Sequence, residues 1–170
     1  MGCDIHSYVE VKHHSGEWVA PHCFKADYLR SGSAELAAIY HEPEFQTEAS
    51  SPIRDRNYAL FAFLADVRNY ADAITPAIVW LTKGSPYYYT RTLPSDLSQV
   101  VRREWVDCRG DAHSESWFTL AELEIALAAA QFNGEADGFS DVLRWSLDQM
   151  HERCGGAKRG DVRLIFWFDN

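Results

Sequence analysis

The tetrapeptide Asp-x-His-Ser occurs twice, as Asp4-Ile5-His6-Ser7 and as Asp111-Ala112-His113-Ser114. In extended backbone the first and third residues project to the same side, so each copy presents a carboxylate and an imidazole together. Two such pairs brought face to face would give four metal ligands, Asp4, His6, Asp111 and His113, for a divalent cation such as zinc, manganese or magnesium. They would equally give a proton-transfer pair, in which His6 or His113 moves the proton and a carboxylate orients the ring. A structural reading stands beside the chemical one: Asp111 follows Gly110 as a turn residue, His113 helps a loop to fold, and seven histidines make a short coincidence easy. Asp-x-His also follows a strand in metallophosphoesterases, but the further Asn and His motifs of those enzymes are not traceable here.

Arginines are the second chemical resource. Arg54, Arg56 and Asn57 precede the apolar run of RNYALFAFLADVRN and Arg68 closes it, while Arg91, Arg102 and Arg103 surround the next helical stretch. Guanidinium groups beside carboxylates and aromatic rings suit a small anionic, nucleotide-like ligand, with phosphate on arginine and a base stacked on Tyr or Trp. Arg56, Asn57 and Arg68 are therefore the candidate ligand-binding residues. The alternative is a set of surface ion pairs, each worth less than about 1 kcal/mol, and for Arg102 and Arg103 that reading is the better one. No Walker loop, G-x-G-x-x-G or G-x-S-x-G motif is present, and Ser114 lies too close in sequence to His113 to make a hydrolase dyad.

The elements that must position these groups follow from periodicity. Met-Gly-Cys at the start resembles an acylated anchor, yet the myristoylation pattern needs Ser or Thr where His6 stands, and no polybasic patch supports it. Instead Ile5, Val9 and Val11 alternate with Asp4, His6, Tyr8 and Glu10, predicting a strand over 4–12. A second strand over 17–20, with Gly16 in the turn, completes an N-terminal hairpin. SAELAAIY (33–40) reads as a short helix capped by Ser33, and 41–53 as a loop. Leu60, Phe61, Phe63, Leu64 and Val67 predict a buried helix. The aromatic stretch 76–93, which includes Tyr87-Tyr88-Tyr89, has no clear period. Ser95 caps a helix over DLSQVVRREW, DCRGDAHSES reads as a polar loop, and Thr119 with Glu122 forms a capping box. Ser140 caps a last helix that ends at Gly155-Gly156. DVRLIFWFDN predicts a central strand covered on both faces, whose pairing with the opening strand would turn the Asp4/His6 face into a pocket. The expectation is one α+β domain over 1–170, with a small, mostly antiparallel sheet of N-terminal hairpin plus C-terminal strand, packed with several helices.

Composition narrows the function. A hydrophobic share of 46% with 14% aromatics argues against disorder and for a bulky core. Net charge −9 disfavours generic nucleic-acid binding through a broad basic face. Four cysteines never form C-x-x-C, so reduced, mostly buried thiols are expected. No run is long and apolar enough for a membrane span or a signal peptide, which leaves the cytoplasm as the expected compartment.

Together, MGCDIH, RNYALFAFLADVRN, LPSDLS, GDAHSESWFTLAEL and the terminal FWFDN resemble a family of small proteins encoded by phages and their bacterial hosts. The third block of that family usually reads nearer PRGLP, where this chain has TRTLP and so Thr90 in place of the proline. The resemblance implies a phage-type accessory protein in the host cytoplasm, of the kind that opposes host defence by binding or destroying nucleotide signals. Joined to the residues, two functions are expected. One is an Asp/His/Arg pocket for a small phosphorylated ligand, with metal-dependent phosphoester hydrolysis as its catalytic form. The other is a non-enzymatic binder that sequesters such a signal or blocks a host defence protein through its aromatic, acidic surface.

Overall fold

The computed structural model describes residues 2–20, 52–53, 56–83 and 88–169. The helix expected over 33–40, most of the loop over 41–53, Arg54 and Tyr87 lie outside the described residues.

Strand β1 (Asp4–Lys12) and β2 (Trp18–Val19) form the expected hairpin. Its turn closes through His13 N–H to Glu17 O at 2.7 Å, and Gly16 takes φ +90°, a backbone angle that L side chains rarely adopt. Helix α1 (Tyr58–Ala65) is buried on every side but its first turn. It starts at Asn57, whose side-chain oxygen accepts from Leu60 N–H at 3.0 Å, and stops at Asp66 in the left-handed region. A short helix α2 (Ala77–Thr82) follows, then α3 (Gln99–Cys108). Ser98, not Ser95, caps α3 by accepting from Val101 N–H.

Residues 113–116, expected as loop, belong to strand β3 (His113–Thr119), and Thr119 turns it directly into α4 (Leu120–Phe132). The capping box is present in both directions, Thr119 accepting from Glu122 N–H while Glu122 accepts from Thr119 N–H. Helix α5 (Ser140–Arg153) has Ser140 as its first residue, with Phe139 at the capping position and no side-chain cap. The chain returns to the sheet in β4 (Val162–Asp169).

The sheet order is β2-β1-β4-β3, and every pairing is antiparallel. With the helices packed on it, the fold is α+β. Because β1 and β4 are the inner strands, both faces are covered. Ile5, Val9, Phe118, Leu164, Phe166 and Phe168 join the main core with residues of α1, α4 and α5. Tyr8, Ile165 and Trp167 form a second, smaller layer with Val101 and Trp105 of α3. Among the described residues no helix is long and apolar enough to cross a membrane.

Candidate functional site: a cavity at one end of the sheet

Residues directly opposite in a ladder share a face. Ile5, Phe168 and His113 are opposite one another across β1, β4 and β3, so His113 lies on the main-core face. His6 is opposite Trp167, one residue away along β4, and therefore lies on the other face. The rings follow this division, His6 stacking on Trp167 at 5.9 Å and His113 on Phe168 at 6.0 Å. The two Asp-x-His-Ser copies thus flank the same strand from either side and do not converge. Asp4, His6, Asp111 and His113 form no common site, a correction whose cause is the two-residue period of β4. Among the described residues no group of three His, Cys, Asp or Glu side chains is placed to hold a metal ion.

The first copy is satisfied by neighbours. Asp4 accepts from Arg56 Nε and from Arg56 Nη2, the latter at 2.7 Å, and this charge-assisted fork holds its carboxyl below the ordinary carboxylate range. His6 Nε2 lies 2.9 Å from Oδ2 of Asp169, a residue that spacing alone did not nominate. Asn57 serves the fold, since it caps α1 and its Nδ2 donates to Gly138 O at 2.9 Å. Arg56 is thus held by Asp4 and Asn57 by the fold, and neither lines the cavity that Arg68 lines.

The second copy lines an open cavity of about 490 Å³, together with Cys3, Asp66, Val67 and Arg68. Three segments meet there: the residue preceding β1, the turn that ends α1, and residues 110–114 entering β3. Asn69 shapes the turn by donating from Nδ2 to Asp66 Oδ1 and to Ile74 O, both at 2.7 Å, and by accepting from Ile74 N–H at 3.1 Å. Arg68 Nη1 donates to Tyr70 Oη at 3.2 Å, and the guanidinium lies 5.9 Å from the Tyr58 ring. Burial raises the Cys3 thiol above its ordinary range, and the nearby Arg68 guanidinium only partly offsets this. His113 Nδ1 lies 3.0 Å from Ser114 Oγ, whereas its Nε2 is buried without a hydrogen-bond partner. A buried polar atom left this way is uncommon and marks a position where a partner group would be favourable.

Backbone strain concentrates at this cavity. Asp66, Arg68 and Ser114 line it, and all three are non-glycine residues at positive φ, 62°, 57° and 53° respectively. Ala71 and Asp72, just beyond Arg68, share the same region of dihedral space. Such angles cost free energy unless the surroundings enforce them, and they gather at binding and catalytic sites. Ser114 owes its angle to the bulge between His113 and Ser116, where β3 loses register with β4. Sequence reasoning found Arg68, Asp111 and His113 but not Cys3, Asp66 or Asn69. The available signal was the polar cluster Asp66, Arg68, Asn69 directly after an apolar helix.

Arg91, Arg102 and Arg103 serve the architecture. Arg91 forms a fork on Glu122, at 3.1 and 2.9 Å, and lies over Trp117 and Phe118. Arg102 donates to Ser95 O, and Arg103 pairs with Asp107. Comparison with known proteins adds no relative: no protein-family model, curated protein or solved structure matches this chain.

Proposed function

We propose that the cavity beside β4 binds a small phosphorylated compound, with Arg68 holding the phosphate and His113 supplying a further polar contact. The observation that carries this reading is the convergence on one cavity of a guanidinium, an imidazole and three non-glycine residues at positive φ. The charge balance shapes the ligand. Asp66 and Asp111 face the cavity together with Arg68, which suits one phosphate accompanied by hydroxyl or amino groups better than a polyphosphate. The resemblance to the phage-borne family supplies the setting for this reading, in which a captured nucleotide-like signal is withheld from host defence. Capture is the simpler reading, because it asks for no group beyond those that line the cavity.

Calorimetric titration with inorganic phosphate and phosphorylated small molecules tests the proposal. Arg68→Ala and His113→Ala are expected to weaken binding, by about tenfold or more for the arginine. His6→Ala, on the opposite face of the sheet, and Arg102→Ala, whose guanidinium is held at Ser95, leave it unchanged. Equal losses in all four variants, or none in Arg68→Ala, would remove the reading. Ligand recovered after denaturing the protein separates the two functions, because intact recovery means capture and altered ligand means turnover.

A further inference from the structure

The surroundings of Arg68 say more about what accompanies the phosphate. Three tyrosines are exposed among the described residues, Tyr58, Tyr70 and Tyr88, and two of them contact this one arginine. Scattered exposed aromatics are ordinary on a protein surface, but two gathered on a cavity guanidinium are not scattered. Tyr70 is 69% exposed, yet its phenol oxygen accepts from Arg68 Nη1 at 3.2 Å, so one end of the ring is fixed while most of its surface stays open to solvent. Tyr58, 37% exposed, is anchored by an edge-to-face contact with Phe61 at 5.6 Å, and its ring lies 5.9 Å from the same guanidinium.

We propose that the compound bound in this cavity is a nucleoside monophosphate, its phosphate on Arg68 and its base stacked on Tyr70. The inference rests on the phosphate-binding reading and narrows it. Inorganic phosphate makes no use of an aromatic platform. A sugar phosphate would use the carboxylates of Asp66 and Asp111 through its hydroxyls but would leave the tyrosine faces uncovered. A nucleotide uses all three: the anion meets the guanidinium, the ribose hydroxyls donate to a carboxylate, and the base covers an exposed ring. Stacking tolerates any base, because every base has a π-face, so the platform selects nucleotides as a class.

Titration calorimetry on the full chain, with inorganic phosphate, ribose 5-phosphate and the four ribonucleoside 5′-monophosphates as probes, distinguishes these ligands. The expected result is about tenfold tighter binding of the nucleotides than of ribose 5-phosphate. Tyr70→Ala abolishes that advantage and leaves ribose 5-phosphate binding in place, while Tyr70→Phe, which loses the hydroxyl but keeps the ring, preserves it. Thermal melts of both variants check that they are folded, as expected for so exposed a side chain. Equal affinity for nucleotides and ribose 5-phosphate would overturn this inference and leave the phosphate reading intact. So would a Tyr70→Ala variant that loses both ligands to the same extent, since Tyr70 would then act only by holding Arg68. Failure of every probe to bind would overturn both.

Discussion

Cys3 lines the cavity and is only 1% exposed, and its thiol is raised by burial with Arg68 pulling in the other direction. Because the thiolate is the reactive form, Cys3 should be a poor nucleophile at neutral pH and serve as part of the wall. Iodoacetamide labelling followed by peptide mass spectrometry should therefore modify Cys3 far more slowly in the folded chain than in urea. Arg68→Ala, which removes the cation favouring the thiolate, should slow it further; faster labelling in that variant would contradict the assignment. The histidines teach a related lesson at this scale. Asp-x-His-Ser was legible as a polar unit, yet whether two copies meet depends on which side of an intervening strand each occupies. Ile5 or His6 could have faced His113 until the register with Phe168 decided it. One residue of slip reverses that outcome, and neither motif contains the information.

At the scale of elements, local chemistry was most informative where a side chain closes its own backbone. Strand 4–12, the hairpin turn and the Thr119/Glu122 box were readable because alternation, a glycine and a capping pair act within a few residues. Strand β3 was not readable: His113, Ser114, Glu115 and Ser116 are all polar, and they become a strand only because β4 offers them partners. Ser98 displaced Ser95 as the cap of α3 for a similar reason, its N–H being held at 2.6 Å by the distant Glu10 carboxylate. The capping box also carries a pH dependence. Burial would raise the Glu122 carboxyl, but Arg91 and Thr119 outweigh it and leave it below its ordinary value of 4.5. A carboxyl depressed on folding contributes stability that is complete above about 4.5 and disappears as pH falls through the folded value. Glu122→Gln should thus cost about 1 kcal/mol at neutral pH, where the charged cap is lost. Urea denaturation should show that difference narrowing below pH 4.5, and a constant gap at all pH values would count against the mechanism.

At the scale of the described residues, two apolar layers share the inner strands β1 and β4 and are clasped by a buried ion pair. Arg163 of β4 donates from Nε to Glu10 Oε2 of β1 at 2.7 Å, reaches Asp96 Oδ1 at 2.8 Å, and lies 4.1 Å from the Trp18 ring. Glu10 is fully buried and Arg163 nearly so, so removing one partner strands the other. Glu10→Ala should cost about 3–5 kcal/mol, whereas the double replacement Glu10→Leu with Arg163→Met should cost markedly less. Denaturant midpoints measured at matched slopes check this, and a double variant as weak as the single one would show that the clasp is more than mutual neutralisation. The turn closing α1 has another consequence at this scale. Asp66, Arg68, Ala71 and Asp72 hold unfavourable torsions within seven residues, but only the first two line the cavity. On the proposed reading, durability and ligand capture compete at Asp66 and Arg68 and not at Ala71 or Asp72. A more heat-resistant descendant would relax its backbone at the latter pair, where glycine relieves the angle, and keep the former in tension.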